Sequence, residues 1–144
     1  MHTQVGRVLL AKGDHIHGVA LHTSLAEVIR QMTEYQIGAL LVFDGALVVG
    51  IITERDLVRR ALFRGLDPAT TPVEEVMTTP VAYVAPEVTV AEAMKVMSET
   101  KSRHLPVLAD GRLVGLVSLS DLIRKATSDL ETQILYLESY IRGR

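Results

Sequence analysis

The sequence has no cysteine, no tryptophan and only two phenylalanines among its 144 residues. The absence of cysteine excludes disulfide bonds and zinc sites built from thiolates. No apolar run comes close to the roughly 20 residues that a membrane-spanning helix needs, and the first residues do not follow a signal-peptide pattern. We therefore expect a soluble, cytoplasmic protein with no membrane partner.

An excess of charge of one sign is also missing. The chain carries 15 Lys and Arg against 17 Asp and Glu, a net charge of -2. No segment is strongly basic, whereas proteins that bind nucleic acids usually present a basic face, so we expect no nucleic-acid partner. Because 48% of the residues are hydrophobic, the chain can bury a core and is not expected to be disordered.

The chain does contain an internal repeat. Residues 49–57 (VGIITERDL) recur as residues 114–122 (VGLVSLSDL), and residues 24–27 (SLAE) recur as residues 89–92 (TVAE), always 65 positions later. A unit of about 60 residues buries too little surface to be stable alone, so repeated units usually pack against each other. The repeat predicts two units related by a pseudo-twofold axis, with a ligand-sized cleft between them.

Each copy predicts the same order of elements. A short strand, at residues 18–21 or 82–85, leads into a helix that begins at Ser24 or Thr89. Each of these residues is followed three positions later by glutamate, which is typical of a capping box. An Asp-Gly pair then separates two β-rich runs, which indicates a hairpin, and a second helix follows. The predicted fold is therefore α/β (α+β), with two β-α-β-β-α repeats packed as a pseudo-twofold pair.

Changes in composition divide the chain into four parts. We assign residues 1–65 to the first repeat with its N-terminal segment, and residues 73–124 to the second repeat. Residues 66–72 contain two prolines and form the predicted linker. Residues 125–144 form the predicted C-terminal helical extension.

The last helix is predicted to run from about residue 119 to residue 141. Its apolar residues Leu130, Ile134, Leu137 and Ile141 share one face, at a spacing similar to that of a coiled coil. Such a face needs a partner surface, which is either the rest of the same chain or a second copy in a dimer.

Four segments of the chain together resemble the paired cystathionine-β-synthase (CBS) domains, in particular the small stand-alone bacterial proteins of that family. They are residues 50–56 (GIITERD), 76–81 (VMTTPV), 103–107 (RHLPV) and 115–121 (GLVSLSD). The resemblance implies a regulatory module that binds AMP, ADP, ATP, NAD or S-adenosylmethionine in the cleft between repeats, and a homodimer. Because the chain contains no enzyme or transporter domain, we expect an unidentified protein target in trans.

The resemblance also implies which residues bind the ligand. The family's Thr/Ser-x-x-Asp motif places its aspartate on the ribose hydroxyls, which corresponds here to Thr53 with Asp56 and to Ser118 with Asp121. The same pattern is also a helix cap, and capping alone would explain both pairs. At the two other helix starts the third position is glutamate, the usual capping-box residue, so the use of aspartate here favours ligand binding. Both roles can coexist.

Phosphate groups need cationic or N–H donors, and the two copies differ in these. Arg55 precedes Asp56, so we expect the first site to favour a phosphate-rich ligand if Arg55 points inward. The family places the start of the following strand in the cleft. This implies that Arg103 and His104 are phosphate ligands, with Pro106 beside them, and that Gly38 and Ala39 let the ligand approach the backbone closely in the first copy. Lys12, at the position equivalent to Met77, is a further candidate for the cleft; the alternative is a solvated lysine.

Two other functions fit the sequence less well. His15, His17 and His22 lack a further ligand at zinc spacing, so no metal site is predicted. No nucleophile motif, phosphate-binding glycine loop or acid–base pair is evident, so we expect no enzyme activity and no required cofactor beyond an adenine nucleotide as regulatory ligand. The alternative to a nucleotide sensor is a dimeric interaction scaffold without a ligand.

Overall fold

The computed structural model describes residues 2–13 and 16–142. Its helices and strands follow one another along the chain in the order α1 (Val5–Lys12), β1 (Gly18–Ala20), α2 (Leu25–Tyr35), β2 (Ala39–Asp44), β3 (Leu47–Thr53), α3 (Glu54–Asp56), α4 (Val90–Thr100), β4 (His104–Ala109), β5 (Arg112–Ser118) and α5 (Leu119–Arg142). A π-helix, Leu57–Leu62, continues α3, and a 3₁₀ turn covers Val73–Glu75. The mixed α and β content and the C-terminal helix confirm the predicted fold class.

The contacts divide the chain into two compact units. The first-repeat unit is Ile16–Val81, and the second-repeat unit combines Met1–His15 with Ala82–Arg144. This grouping differs from the boundaries drawn along the sequence, because the N-terminal segment belongs to the second repeat. The reason lies in the cores: Val5 and Val8 are buried with the second repeat, whereas Val73 and Val76 are buried with the first.

Each unit contains the predicted hairpin. β2 pairs antiparallel with β3, and β4 pairs antiparallel with β5. Each pair has a bulge, which follows Val42, the partner of Gly50, in the first and Val107, the partner of Gly115, in the second. In the second hairpin Asp110 and Gly111 have φ of 51° and 77°. Positive φ at both central residues is the turn geometry that matches the twist of the two strands. Both predicted hairpins therefore form, but in the first Asp44 pairs with Leu47, so the turn consists of Gly45, with φ of 61°, and Ala46.

The first strand of the second repeat is reduced to a single bridge. In the first-repeat unit β1 pairs parallel with β2, and the Leu41 N–H donates to the His17 carbonyl at 3.2 Å. The residue equivalent to Leu41 is Pro106, which has no N–H to donate. Residues 82–85 consequently retain only the Val84–Val107 bridge, and the predicted strand is wrong there.

The predicted linker packs against the first repeat. Backbone N–H groups at the start of α2 donate to carbonyls of this segment, Ala26 to Pro68 at 2.9 Å and Leu25 to Thr71 at 3.0 Å. Thr71 is buried. Since the segment supplies acceptors to helix N–H groups that lack partners within the helix, it also acts as a cap for α2.

The last helix forms over the predicted range. The side chains of its apolar face remain exposed, with exposed fractions of 58% for Leu130, 48% for Ile134, 58% for Leu137 and 70% for Ile141. This face therefore does not pack onto the described part of its own chain. Among the helices formed by residues 2–13 and 16–142, none combines the length and apolar content that crossing a lipid bilayer requires.

Candidate functional site

The Thr53–Asp56 pair forms a reciprocal cap where β3 runs into α3. Thr53 has extended backbone angles, and its hydroxyl accepts from the Asp56 N–H at 3.2 Å. In return the Asp56 carboxylate accepts from the Thr53 N–H at 3.1 Å. The carboxylate is thereby held in one orientation at the end of the strand, with Asp56 only 7% exposed.

The second repeat builds the same arrangement where β5 runs into α5. The Ser118 hydroxyl accepts from the Asp121 N–H at 3.1 Å, and Asp121 Oδ2 accepts from the Ser118 N–H at 2.9 Å. Asp121 is 9% exposed. Both aspartates are therefore buried charges, which proteins keep only with good partners.

The two glutamate helix starts do not form the reciprocal box that their sequence predicts. The Ser24 hydroxyl accepts from the Glu27 N–H at 3.2 Å, but the Glu27 carboxylate pairs with Arg30, whose hydrogen bond lowers the Glu27 pKa to about 2. Glu92 accepts from the Thr89 hydroxyl at 2.9 Å instead. The full boxes are made by the aspartates, so the use of aspartate does not separate ligand binding from capping.

A third group holds Asp56 from within the same unit. The Thr78 hydroxyl lies 3.1 Å from Asp56 Oδ1 and 3.2 Å from Oδ2, and can donate to either. Thr78 is itself fixed by two backbone hydrogen bonds with Ile51, of 2.8 and 3.1 Å. Arg60 places Nε 3.7 Å from Asp56 Oδ1 and donates to the Met77 carbonyl. Asp56 is thus oriented by a neutral hydroxyl and approached by one cation.

Asp121 is held by a cation in the corresponding place. Lys12, the last residue of α1, donates from Nζ to Asp121 Oδ2 and to the Leu116 carbonyl, both at 2.8 Å. Arg124 lies 3.4 Å from Asp121 Oδ1. Burial raises the pKa of the Asp121 carboxyl, but the hydrogen bonds from Lys12 and Ser118 outweigh it and hold the pKa below its ordinary value. Asp121 is therefore ionised at neutral pH.

Most of the other predicted site residues lie beside these helix starts. The Gly38 carbonyl accepts from the Glu54 N–H at 3.0 Å, and the Arg103 carbonyl accepts from the Leu119 N–H at 2.8 Å. The residues that open or extend the neighbouring strand lie in register with the same region: Ala39 opposite Thr53, His104 opposite Ser118, and Pro106 opposite Leu116. Arg55 is exposed on the outer side of α3, while Asp56 is buried.

Sequence reasoning missed three residues that contact the aspartates. Thr78 lies within the segment 76–81 that carries part of the family resemblance, but was not singled out. Arg60 and Arg124 lie four and three positions after an aspartate on the same helix, as the ion pairs show. Because residues at these spacings share a helix face, this pattern could have identified both arginines.

The histidines considered as metal ligands have other partners or lie outside the described residues. His17 stacks on Tyr35 with ring centroids 4.5 Å apart, and His22 Nδ1 lies 2.7 Å from Glu74 Oε1. His15 is outside the described residues. Within residues 2–13 and 16–142, no three His, Cys, Asp or Glu side chains are grouped so that they could hold a metal ion.

Comparison with known proteins identifies relatives across nearly the whole chain. The family model for the CBS domain matches twice, at residues 14–62 and 73–128. The structure of a protein with CBS domains from Burkholderia ambifaria MC40-6 is 41% identical, with a TM-score of 0.85 over 88% of this chain and 96% of that one. The mitochondrial CBS domain-containing protein CBSX3 of Arabidopsis thaliana is 31% identical over 98% of this chain and 73% of its own.

One related structure contains ligands. The CBS domain pair of protein MJ0100, solved in complex with 5′-methylthioadenosine and S-adenosyl-L-methionine, is 25% identical to this chain. Its TM-score is 0.78 over 90% of this chain and 99% of that one. Both of its ligands contain adenosine.

Proposed function

Because this chain belongs to the CBS domain family, whose paired domains are generally regulatory ligand-binding modules, we propose that it senses an adenosine-containing nucleotide. The candidate ligands are AMP, ADP, ATP, NAD and S-adenosylmethionine. The ligand acts as a regulatory signal and not as a substrate, and a protein target in trans reads the resulting change. A ligand shifts such an equilibrium only as far as its affinities for the two states differ.

The observation that carries this proposal is the pair of buried, pre-oriented aspartates. In each unit the carboxylate is fixed by its own helix start and by a group from a distant segment, Thr78 for Asp56 and Lys12 for Asp121. A carboxylate has room for about four hydrogen bonds. Asp56 accepts from Thr53 and Thr78 and can still accept from both hydroxyls of a ribose. Asp121 accepts from Ser118, Lys12 and Arg124 and keeps room for about one ribose hydroxyl. Because neither carboxylate needs to reorganise, such a contact would be made at little conformational cost.

The same geometry argues against a catalytic role for Asp121. A general base is most effective when its pKa lies near the working pH, whereas the Asp121 pKa is held below its ordinary value. A carboxylate held in this way accepts hydrogen bonds well and takes up protons poorly. We therefore propose binding without turnover, and no cofactor beyond the regulatory ligand.

The test is a thermal-shift panel with AMP, ADP, ATP, NAD and S-adenosylmethionine, with GTP as a control. A ligand at 100 times its Kd stabilises the folded state by about 2.7 kcal/mol, which raises Tm by several degrees. We expect the shift to disappear in the double variant Asp56→Asn, Asp121→Asn, which keeps side-chain volume. The matched control is Glu92→Gln, at a helix start where the carboxylate accepts from the Thr89 hydroxyl and where the shift should persist.

Either of two results would contradict the proposal. One is the absence of a shift with every adenosine compound at millimolar concentration. The other is a shift of undiminished size in the double variant, which would leave the aspartates as helix caps alone. Incubation of the protein with a bound nucleotide, followed by chromatography, checks for turnover.

A second candidate function is a dimeric scaffold without a ligand. The exposed apolar face of α5 favours it, because a contiguous apolar patch on a protein surface usually marks an interaction site. In that case the panel would give no shift, while the chain would still self-associate.

A further inference from the structure

The two aspartates have surroundings of different charge, and we infer that the two sites take ligands of different charge class. This inference rests on the proposed function. The Asp121 site takes a phosphorylated adenosine ligand, with Lys12 as the residue that sets this preference. The Asp56 site takes adenosine-like ligands largely without regard to phosphate.

The first argument concerns the cations that contact each carboxylate. Asp121 contacts two cations, Lys12 at 2.8 Å and Arg124 at 3.4 Å, so the three groups together carry a positive charge. Asp56 contacts one cation, Arg60, at 3.7 Å, so that pair is neutral. A ligand with several negative charges is attracted to the first arrangement and gains little from the second.

The residues that open the two helices add to the difference. In the first repeat the helix opens with Glu54 and Arg55, whose charges cancel, and the Glu54 carboxylate lies against Gly38. In the second repeat the equivalent positions hold Leu119 and Ser120, and Arg103 replaces Gly38. The expectation that Arg55 would make the first site the phosphate-rich one is therefore reversed in this proposal.

Lys12 is placed to act on both the aspartate and a ligand. Its ammonium group has three N–H donors, and the Leu116 carbonyl and Asp121 Oδ2 each accept one. A phosphate oxygen beside the Asp121-bound ribose can accept the third in a charge-assisted hydrogen bond. Because the lysine side chain is only 35% exposed and anchored at two acceptors, little side-chain entropy remains to be lost when phosphate binds.

The first repeat has no lysine at the position equivalent to Lys12. The residue 65 positions after Lys12 is Met77, and the donor to Asp56 is the neutral Thr78 hydroxyl. The molecule thus orients one aspartate with a cation and the other with a hydroxyl. The substitution Lys12→Met gives the second site the residue that the first repeat carries at this position.

The experiment measures adenosine and ADP binding by calorimetry at low and high salt. The variant Asp56→Asn isolates the Asp121 site, and Asp121→Asn isolates the Asp56 site. At the Asp121 site we expect ADP to bind about tenfold or more tightly than adenosine, by an amount that falls with salt. At the Asp56 site we expect affinities within about threefold of each other, since the Asp56–Arg60 pair is neutral.

Lys12→Met in the Asp56→Asn background should lower ADP affinity about tenfold and change adenosine affinity by less than about threefold. Lys95→Met is the matched control: it removes the same charge from an exposed position that pairs with Glu99, and should leave both affinities unchanged. Arg124→Gln, at an exposed position, tests the same point with a smaller loss if Lys12→Met does not fold.

The outcomes separate the two proposals. If ADP binds at the Asp121 site but its preference over adenosine survives both Lys12→Met and Arg124→Gln, the charge-class inference is wrong and the proposed function stands. If wild-type protein binds no adenosine compound, the proposed function itself is wrong. If binding survives loss of both aspartates, Asp56 and Asp121 are not the ligand residues and the charge-class inference is wrong.

Discussion

Each of the two aspartates performs a structural duty that can be measured apart from any ligand. Asp121 accepts from its helix start and from Lys12, a residue 109 positions away in sequence, and Asp56 accepts from Thr78. A buried carboxylate that loses such partners retains the cost of its desolvation. The same side chains therefore stabilise each unit and prepare it for a ligand.

The lowered pKa of Asp121 predicts a loss of stability in acid. The unfolded pKa is about 3.9, and the folded pKa lies below it, so the stabilisation is complete above pH 4 or so and is lost as the pH falls through the folded pKa. Asp121→Asn should cost about 1–3 kcal/mol at neutral pH, and less once the pH has fallen below the folded pKa of Asp121. Urea unfolding of both proteins across this range measures the difference. A difference in unfolding free energy that stays constant with pH, or that the control Glu92→Gln also shows, would contradict this prediction.

Among the elements, rules that act over a few residues explain most of the fold. The hairpins and the helix starts form where turn and cap residues predict them. The strand at residues 82–85 fails because prolines stand where two residues of the other repeat donate: Pro106 in place of Leu41, which donates to His17, and Pro86 in place of Leu21, which donates to Phe43. Two missing N–H groups therefore separate two otherwise similar sheets.

Restoring the N–H at position 106 should extend the sheet of the second-repeat unit at its Ala82 end. In Pro106→Leu, position 106 has the same residue as Leu41 and regains a donor, and we expect its amide to bond the Ala82 carbonyl. Hydrogen exchange followed by NMR should show this amide protected to a degree similar to that of Leu41, whose bond to His17 measures 3.2 Å. Rapid exchange at position 106 in a folded variant would show that something other than the missing donor prevents the strand.

In the whole molecule, two segments pack with a different repeat from the one to which the sequence assigns them. α1 buries Val5 and Val8 in the core of the second repeat, and the 3₁₀ turn buries Val73 in the core of the first. The core of the second repeat is therefore completed by the helix that precedes the first repeat, and the core of the first repeat by the turn that follows it. This exchange brings Lys12 to Asp121 and Thr78 to Asp56.

The exposed face of α5 predicts self-association. We expect the chain to be a dimer by light scattering after size-exclusion chromatography, and Ile134→Lys with Leu137→Lys to shift it towards monomer, because a charge on an apolar interface is costly to desolvate. Gln133→Lys, on the same helix at an exposed position, is the charge-matched control. A dimer that survives the double substitution would place the interface elsewhere.

Much of this structure follows from the sequence because it depends on neighbours three or four residues apart. The repeat, the two hairpins, the range of α5 and the Thr/Ser-x-x-Asp helix starts are all of this kind. The sequence also placed Asp56 and Asp121 among the candidate ligand residues, and it included Lys12. It did not identify Thr78, Arg60 or Arg124 as their partners.

The duplicated element order, the turns and the helix starts are readable from the sequence, since these arise from backbone geometry and hydrogen bonds within a few residues. That α1 packs with the second repeat and residues 73–81 with the first is visible in the folded chain alone. The physical reason is that burial depends on apolar area and is indifferent to distance along the chain, so Val5 and Val73 could each complete either of two similar cores. The contrast between Lys12 at one aspartate and Thr78 at the other follows from that packing.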